Sequence, residues 1–489
     1  MPFIIAADIG TTHCKLLLVN EQGKTVHSFK AAVVSLQPSG GWHEQDPALI
    51  FQSVAGLLRQ AFSVVDAAEV GCVVFSAAMH SLLAVDANGN QLTNAITWAD
   101  TRSKAYAKQL RETAEGQEFY MQTGTPLHAM SPLCKLLWLR QEQPDVFQQA
   151  HKFVSVKEYI FNRLFDRYVV DEGIASSSGL YDIYNHCWSA AALQLAGIDE
   201  TRLSQVVEPT HAIYLSPAAK ALLGLEKDIP FIAGGTDGCL ANLGCAALEP
   251  SVAVITTGTS GAVRATIQNP VKGDMHGLFR YILTQDYYIT GGGTNNAGIV
   301  LKWFADQFMP SATGNNIDDA LLLAATVPAG SDGLLFLPYL LGERAPVYDE
   351  SAAGVFSGIK MQHSKAHFAR AVVEGITFSL VQVLYALETT YHPVNSIYAS
   401  GAITQSAWWM QLLADVSGRP VIYQDAPDAS ALGAAMLGMY ATGVISSLGQ
   451  SRQFFTASTV FHPDLGLHTV YSRQYQAYTR LYPQLKDCF

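Results

Sequence analysis

Two runs of apolar residues, separated by a short polar turn, open the chain. The first run covers residues 3–7, the turn residues 8–12 and the second run residues 14–19. This pattern predicts two strands joined by a tight turn. Gly10 allows the backbone to approach a ligand closely, and Thr11 and Thr12 offer hydroxyls and amides to an anion. Asp8 ends the first strand and can face a hydrated cation, so the turn suits a magnesium nucleotide, although it also fits an ordinary hairpin.

A second copy of this pattern lies near the middle of the chain. The apolar run 252–256 leads into Thr257-Gly258-Thr259-Ser260-Gly261, and a further strand-like run, 262–265, follows. Two such turns, one in each half, favour a duplicated fold that holds a nucleotide between its halves. In this respect the chain resembles the actin, hexokinase and Hsp70-type ATPases.

Composition narrows the class of protein. A chain of 489 residues with 49% hydrophobic and 15% charged residues predicts a globular protein of two or three domains. The net charge of -11 argues against nucleic acid or an anionic membrane as the main partner. Seven scattered Cys without a C-x-x-C pair, and an N-terminus that enters a strand at once, predict a cytoplasmic protein. Glycines and serines interrupt the uncharged stretch 429–451, which predicts a closely packed helix rather than a membrane span.

Polar residues follow two of the predicted strands. Met79 and His80 follow the strand 70–77, and Trp98, Asp100 and Arg102 follow another short apolar run. In α/β folds ligands collect at the carboxyl ends of strands, so these residues are candidates for a polar-substrate pocket. The alternative is that His80 only satisfies a loop and Asp100 only caps the next helix.

A carboxylate flanked by glycines follows the predicted strand 230–233. Asp237 lies in Gly234-Gly235-Thr236-Asp237-Gly238, directly before a helical pattern. A general base can approach a substrate hydroxyl at such a position, and Asp is also a favoured helix N-cap. Further on, residues 363–391 predict a long helix with His363 and His367 at i, i+4. No carboxylate or third His accompanies them, which favours a solvated first turn over a metal pair.

Two longer segments carry a family resemblance. Residues 130–142, Met-Ser-Pro-Leu-Cys-Lys-Leu-Leu-Trp-Leu-Arg-Gln-Glu, and the stretch 354–375 match the signatures of the FGGY carbohydrate kinases. The resemblance covers nearly the whole chain. It implies an α/β fold of two actin-like (RNase H-like) ATPase domains, residues 1–248 and 249–489, with ATP and sugar in the cleft between them.

Within that family the chain is most similar to the gluconokinases. The similarity rests on the phrases at 75–82, 96–103 and 124–132. Xylulokinases also carry a Met-His pair and a Trp-x-Asp-x-Arg phrase, so the third phrase separates the two groups better. The resemblance implies transfer of the ATP γ-phosphoryl group to a primary hydroxyl of an open-chain sugar acid, D-gluconate. The alternatives are another kinase of this family acting on a pentulose or glycerol, or an Hsp70- or actin-like ATPase.

The resemblance also assigns roles to residues of this chain. It implies Asp237 as the catalytic base and Asp8 as a magnesium ligand through water. Met79, His80, Trp98, Asp100 and Arg102 would shape the substrate pocket, and Arg102 or Lys157 would hold a carboxylate. The implied nucleotide contacts are Asp8, Gly10, Thr11, Thr12, Lys15, Thr257, Gly258, Thr259, Ser260, Gly298, Gly401, Ala402 and Gln405.

Two positions depart from the family's pattern. His13 stands where the first turn usually has a Ser, and Ser400 precedes Gly401 where consecutive glycines are usual.

The implied partners are a small sugar or sugar acid, with no nucleic acid or membrane, and a homodimer is left open.

Overall fold

The computed structural model describes residues 2–270, 272–309, 316–423, 428–455 and 459–489. Each half of the chain is built on one large mixed sheet. The first has the order Ala212–Ile213, Phe231–Thr236, Val70–Ala77, Phe3–Ile9, His13–Val19, Thr25–Ala32. The second has the order Phe279–Thr284, Tyr287–Thr294, Gly261–Ile267, Val252–Thr257, Ser396–Gly401, Val421–Tyr423, Thr459–Phe461.

The two sheets repeat one topology, as the duplicated turns predict. In each half a hairpin contains the phosphate-type turn, and its first strand pairs in parallel with a strand from later in the chain. Phe3–Ile9 pairs in this way with Val70–Ala77, and Val252–Thr257 with Ser396–Gly401. Because parallel strands end at the same edge of a sheet, each turn lies beside the end of the next strand.

Helices cover these sheets, and short paired strands complete the loops. The helices are Pro47–Val64, Lys104–Arg111, Ala114–Thr123, Pro132–Glu142, Pro144–Gln149, Val156–Phe165, Glu172–Ser176, Ala190–Ala196, Pro217–Leu223, Asp237–Gly244, Gly298–Phe308, Asn316–Ala325, Lys365–Thr390, Ala407–Ser417, Ala429–Ala441 and Leu465–Leu485. The short pairs are Glu44–Gln45 with Ala95–Ile96, Leu83–Val85 with Lys152–Val154, Val169–Asp171 with Gln205–Val207, Tyr181–Asp182 with Cys187–Trp188, and Leu335–Leu337 with Val355–Ser357.

The two halves meet where helix Asp237–Gly244 packs against helix Ala429–Ala441. A Cβ on Gly244 would lie 1.8 Å from the Ala429 carbonyl oxygen, and one on Gly433 would lie 1.8 Å from that of Leu240. Only glycine therefore permits this approach. The second helix also packs on the first sheet, in a core shared with residues of strands Phe3–Ile9 and Val70–Ala77. This contact explains the small residues of the uncharged stretch.

One helix in the described part of the chain, Lys365–Thr390, is long and apolar enough to cross a membrane by composition alone. Of its most apolar window, 78% is buried inside the protein, as in the core helix of a folded domain. The helix begins after Ser364, so His363 precedes it and the predicted i, i+4 pair on one helix face is wrong. His367 instead serves the helix N-terminus, where its ring nitrogen accepts the Ser364 amide hydrogen at 3.1 Å.

Candidate active site

A cavity of about 310 Å³ lies between the two halves. Both glycine-threonine turns contribute to it. Its lining consists of Thr11, Met79, His80, Trp98, Met130, Asp237, Thr256, Gly258, Ser260, Gly261, Ala262, Arg264, Phe279, Tyr281, Gly293, Arg344 and Tyr348. Two turns that are about 250 residues apart in sequence thus border one chamber, which also contains a carboxylate and two guanidinium groups.

The first turn is closed by the Gly10 amide, which donates to the His13 carbonyl oxygen at 3.1 Å. A Cβ at Gly10 would lie 2.8 Å from that oxygen, so the tight turn requires glycine. Asp8 is buried at the end of the strand, where its carboxylate accepts hydrogen bonds from the Ser76 and Ser430 hydroxyls, both at 2.8 Å. Burial raises the pKa of Asp8.

Other residues of this turn point in different directions. Thr11 faces the cavity, while Thr12 is exposed and its carbonyl oxygen accepts the Val33 amide at 2.9 Å. Lys15 pairs with Asp428 of the second half, and both side chains are about one third exposed. Lys15 is therefore neutralised within the protein and does not line the cavity, which differs from its implied contact with the nucleotide.

The second turn is joined to a helix N-terminus. Gly298, the first residue of its helix, donates its amide to the Gly258 carbonyl oxygen at 2.9 Å, and Ile299 donates to Thr259 at 3.1 Å. A Cβ at Gly298 would lie 2.4 Å from the Gly258 oxygen. Gly258 and Thr259 are exposed beside this helix end. Amides and the partial positive charge of a helix N-terminus favour phosphate oxygens at such a position.

Gly401, Ala402 and Gln405 adjoin the same turn and are exposed to solvent. Gly401 pairs with Thr257 at the ends of parallel strands and has φ 81°, and a Cβ there would lie 2.0 Å from the Thr257 carbonyl oxygen. The Thr257 hydroxyl, which is buried, accepts the Ile403 amide at 2.7 Å. Thr257 therefore holds this segment in place and does not itself face the cavity.

Asp237 is partly exposed at the start of its helix. Its Oδ1 accepts the Gly238 amide at 2.7 Å, while Thr236 caps the helix by accepting the Cys239 amide at 3.2 Å. The N-cap alternative for Asp237 is thus wrong, and its carboxylate remains at the cavity. Burial and the negative charge of Asp8 raise the pKa of Asp237 to about 7, against the opposing effects of the Arg264 charge and the Gly238 amide.

The substrate side of the cavity is held by a buried lysine of the first signature segment. Lys135 is fully buried, and its ammonium donates to the carbonyl oxygens of His80, Ile96 and Thr97. Three acceptors match the three N–H groups of an ammonium. Lys135 therefore fixes the loops that carry His80 and Trp98, a role that the sequence did not reveal.

His80 is a neutral residue in this chamber, because burial lowers its pKa to about 3. Its Nδ1 lies 2.8 Å from the Ser177 carbonyl oxygen, which can only accept, so Nδ1 carries the proton. Nε2 is then an acceptor that faces the cavity, 3.5 Å from the Tyr281 hydroxyl. The backbone of His80 has φ 67°, an uncommon value for a non-glycine residue and typical of functional sites.

Three residues predicted for the substrate side, Asp100, Arg102 and Lys157, do not line the cavity. Arg102 donates to Asp100 and to Glu44 at 2.7–2.9 Å and stacks on Trp42, with only 3% of its side chain exposed. Lys157 is likewise buried and pairs with Asp171 at 2.6 Å. Neither cation is available to a substrate carboxylate, because each is already neutralised by a carboxylate of the protein. The structure contradicts both assignments, and Asp100 serves to hold Arg102.

The available cations are Arg264 and Arg344. Both line the cavity, and among the described residues neither forms an ion pair. The Nε of each is buried without a hydrogen-bond partner. Reasoning from the sequence missed both. Arg264 lies two residues after Ala262 in the same strand, so both side chains are on the face that lines the cavity. For Arg264, this two-residue period was the available signal.

The residues near the turns suit a hydrated magnesium ion. Asp8 and Asp237 are close enough for their charges to interact, and the Ser76 and Ser430 hydroxyls donate to Asp8. Within the described ranges no cluster of three or more His, Cys, Asp or Glu forms a metal cage. Mg²⁺ is commonly held by one or two carboxylates together with substrate phosphates and water, so this donor set fits the ion.

Comparison with known proteins identifies the family. A profile of the N-terminal domain of the FGGY family of carbohydrate kinases matches residues 3–244, and a profile of its C-terminal domain matches residues 253–442. Gluconokinase from Bacillus licheniformis is 39% identical over 455 residues, covering 91% of this chain and 88% of the relative.

Two solved structures are similar over the whole fold. Gluconate kinase from Lactobacillus acidophilus has a TM-score of 0.94 at 33% identity, covering 99% of this chain and 98% of the other. Ligand-bound xylulose kinase from the same organism has the same TM-score and identity, with 99% of both chains covered. This chain belongs to the FGGY family of carbohydrate kinases. It is a phosphotransferase that acts on a sugar hydroxyl, in a family that uses ATP.

Proposed function

We propose that this protein phosphorylates the primary hydroxyl of D-gluconate, with Mg²⁺-ATP as the donor, to give 6-phosphogluconate. The observation that carries the proposal is the cavity between the halves, where two glycine-threonine turns, Asp237 and two unpaired arginines meet. A chamber with two guanidinium groups and one ionisable carboxylate facing it favours an anionic substrate over a neutral one. The gluconokinase relative at 39% identity supports the same substrate class.

The chemistry depends on positioning and on charge neutralisation. The γ-phosphoryl group passes to the substrate oxygen, the bond to the β-phosphate oxygen breaks, and ADP leaves. Asp237 accepts the proton of the attacking hydroxyl, for which its carboxylate must be ionised. Amides of the two turns, with the Thr11 and Thr259 hydroxyls, hold phosphate oxygens. Asp8 would hold a hydrated magnesium ion, which would supply charge neutralisation at the phosphates.

A xylulose substrate is the second candidate. The ligand-bound xylulose kinase is as similar in structure as the gluconate kinase, so overall fold does not separate the two. Membership of a sugar kinase family over both halves leaves no support for an Hsp70- or actin-like role. A coupled ATP-consumption assay over gluconate, xylulose, ribulose, glycerol and rhamnulose tests the choice. We expect the highest kcat/KM for gluconate, and a higher value for any neutral sugar would refute the proposed substrate.

Substitution of the base tests the mechanism. We expect Asp237→Asn to bind ATP normally but to lose turnover by about 10²–10⁴-fold, the usual contribution of a general base. Thr236→Val, at the adjacent helix cap, is the matched control, because it perturbs the same helix start but leaves the carboxylate. Near-normal turnover of a folded Asp237→Asn protein would remove Asp237 from this role.

The remaining properties follow from the same proposal. We expect the halves to close around both ligands, because water left in the cavity would compete as phosphoryl acceptor. Small-angle scattering that shows no compaction with both ligands would contradict closure. We also propose domains divided at residues 248/249, a cytoplasmic location and a small-molecule partner only.

A further inference from the structure

The guanidinium of Arg344 packs flat against the backbone at Gly293, where a side chain would collide with it. A Cβ on Gly293 would lie 3.0 Å from Cζ and Nη2 of Arg344 and 3.1 Å from its Nη1. Cζ also lies 5.3 Å from the centroid of the Trp98 ring. The group is therefore held between the backbone at Gly293 in one half and an aromatic ring of the other, and it lines the cavity.

This guanidinium keeps most of its hydrogen-bonding capacity. Nη2 donates to the Thr294 carbonyl oxygen at 3.1 Å, and Nε is buried without a partner. The adjacent carboxylate of Glu343 is occupied elsewhere: it accepts from the Thr294 hydroxyl at 2.6 Å and from the Asn295 amide at 3.0 Å. A buried donor without an acceptor is costly, so the site is built for an acceptor that arrives with a ligand.

Arg264 lies beside the proposed base. Its Nε would be 3.3 Å from a Cβ on Gly238, the residue next to the proposed base, and its charge lowers the pKa of Asp237. Arg344 instead contacts the Trp98 ring, and its charge acts on His80 and His128, whose pKa values burial lowers. Burial and the Arg264 charge lower the pKa of Arg344, so the two guanidinium groups are within electrostatic reach of each other. Arg111 also acts on His128 but is paired with Glu350, so among the described residues Arg344 is the unpaired guanidinium beside these neutral histidines.

We propose that Arg344 binds the carboxylate of a sugar-acid substrate and sets the preference for acids over neutral polyols, while Arg264 acts at the reacting end. The inference rests on the proposed function and adds a residue to it. In a six-carbon aldonate phosphorylated at its terminal hydroxyl, the carboxylate is at the other end of the chain. With that hydroxyl at Asp237, beside Arg264, the place left for the carboxylate is at the second arginine of the cavity, Arg344, whose planar fork matches its two oxygens.

The test compares D-gluconate with neutral D-gluconamide, which has the same carbon chain and terminal hydroxyl. We expect the wild-type protein to prefer gluconate by about 10²-fold in kcat/KM, the size expected for a buried charged pair. Arg344→Gln should reduce this preference to within about threefold, mainly through the KM for gluconate. Arg264→Gln is the matched control: it should lower kcat for both substrates and preserve the preference.

Each outcome distinguishes the two proposals. An Arg344→Gln protein that keeps the preference, or an Arg264→Gln protein that loses it, overturns the role of Arg344 while gluconate kinase activity stands. A wild-type protein that phosphorylates only neutral sugars overturns the proposed function as well. Circular dichroism and thermal melting check that each variant is folded. If Arg344→Gln does not fold, Arg344→Lys, which keeps the charge without the fork, should give an intermediate preference, and an unchanged one refutes the proposal.

Discussion

The acid limb of the pH profile should report the ionisation of Asp237. Burial and the charge of Asp8 raise the pKa of this carboxyl to about 7, from 3.8. A base must be ionised to accept a proton, so kcat/KM should rise with pH through about 7 and then level off. At about pH 6 only about a tenth of the protein would hold an ionised Asp237, and kcat/KM should be about a tenth of its plateau.

Removing the charge of Arg264 should shift the acid limb in a known direction. The Arg264 charge lowers the pKa of Asp237, so Arg264→Gln should move the acid limb to higher pH. The assay is kcat/KM for gluconate by coupled ATP consumption between about pH 5.5 and 9, with the coupling enzymes in excess at each pH. An acid limb below about pH 5, or one that Arg264→Gln leaves in place, would refute the electrostatic reasoning.

Stability offers a readout that does not depend on catalysis. The folded-state pKa of Asp237 is above its unfolded value, so the folded protein binds a proton between about pH 4 and 7 that the unfolded chain has lost. The free energy of unfolding should therefore fall as pH rises through this window. Asp237→Asn removes this pH-dependent decrease. It should raise the free energy of unfolding at about pH 8 by about 1–2 kcal/mol, a value reduced to allow for the partial exposure of Asp237. Equal urea midpoints at pH 8 would contradict it.

Three further substitutions test the framework around the site. Lys135→Met leaves three carbonyl oxygens without a donor, so we expect a loss of about 2–3 kcal/mol by urea unfolding and a higher sugar KM; wild-type stability would contradict this. Gly401→Ala places Cβ 2.0 Å from the Thr257 oxygen at φ 81°, so the KM for ATP should rise about tenfold or more while that for sugar stays constant. Gly433→Val places Cβ 1.8 Å from the Leu240 oxygen, so we expect about 3 kcal/mol of destabilisation, and an unchanged melting temperature would refute the close helix contact.

Local patterns allowed much of the fold to be predicted. The turn at Gly10 and its copy at Gly258 could be predicted because a strand, a glycine bend and a second strand are contiguous in sequence. The start of helix Pro47–Val64 depends on adjacent residues in the same way, because Asp46 caps it and Pro47 is its first residue. Asp237 was predicted as a site residue from the glycines around it, and it lines the cavity.

The errors concern charged residues whose partners are distant. Arg102 follows a predicted strand, as ligand-binding residues often do. Its guanidinium instead pairs with Glu44, which is 58 residues earlier in the chain. Arg344 lies in a loop without a local signal, and it reaches the cavity because Gly293 leaves space for it. The repeated strand-turn-strand units can be recognised from the sequence, because short-range backbone preferences specify them. Which cation is free for a substrate becomes clear only in the folded protein, because the neutralisation of a charge depends on the residue that folding brings against it.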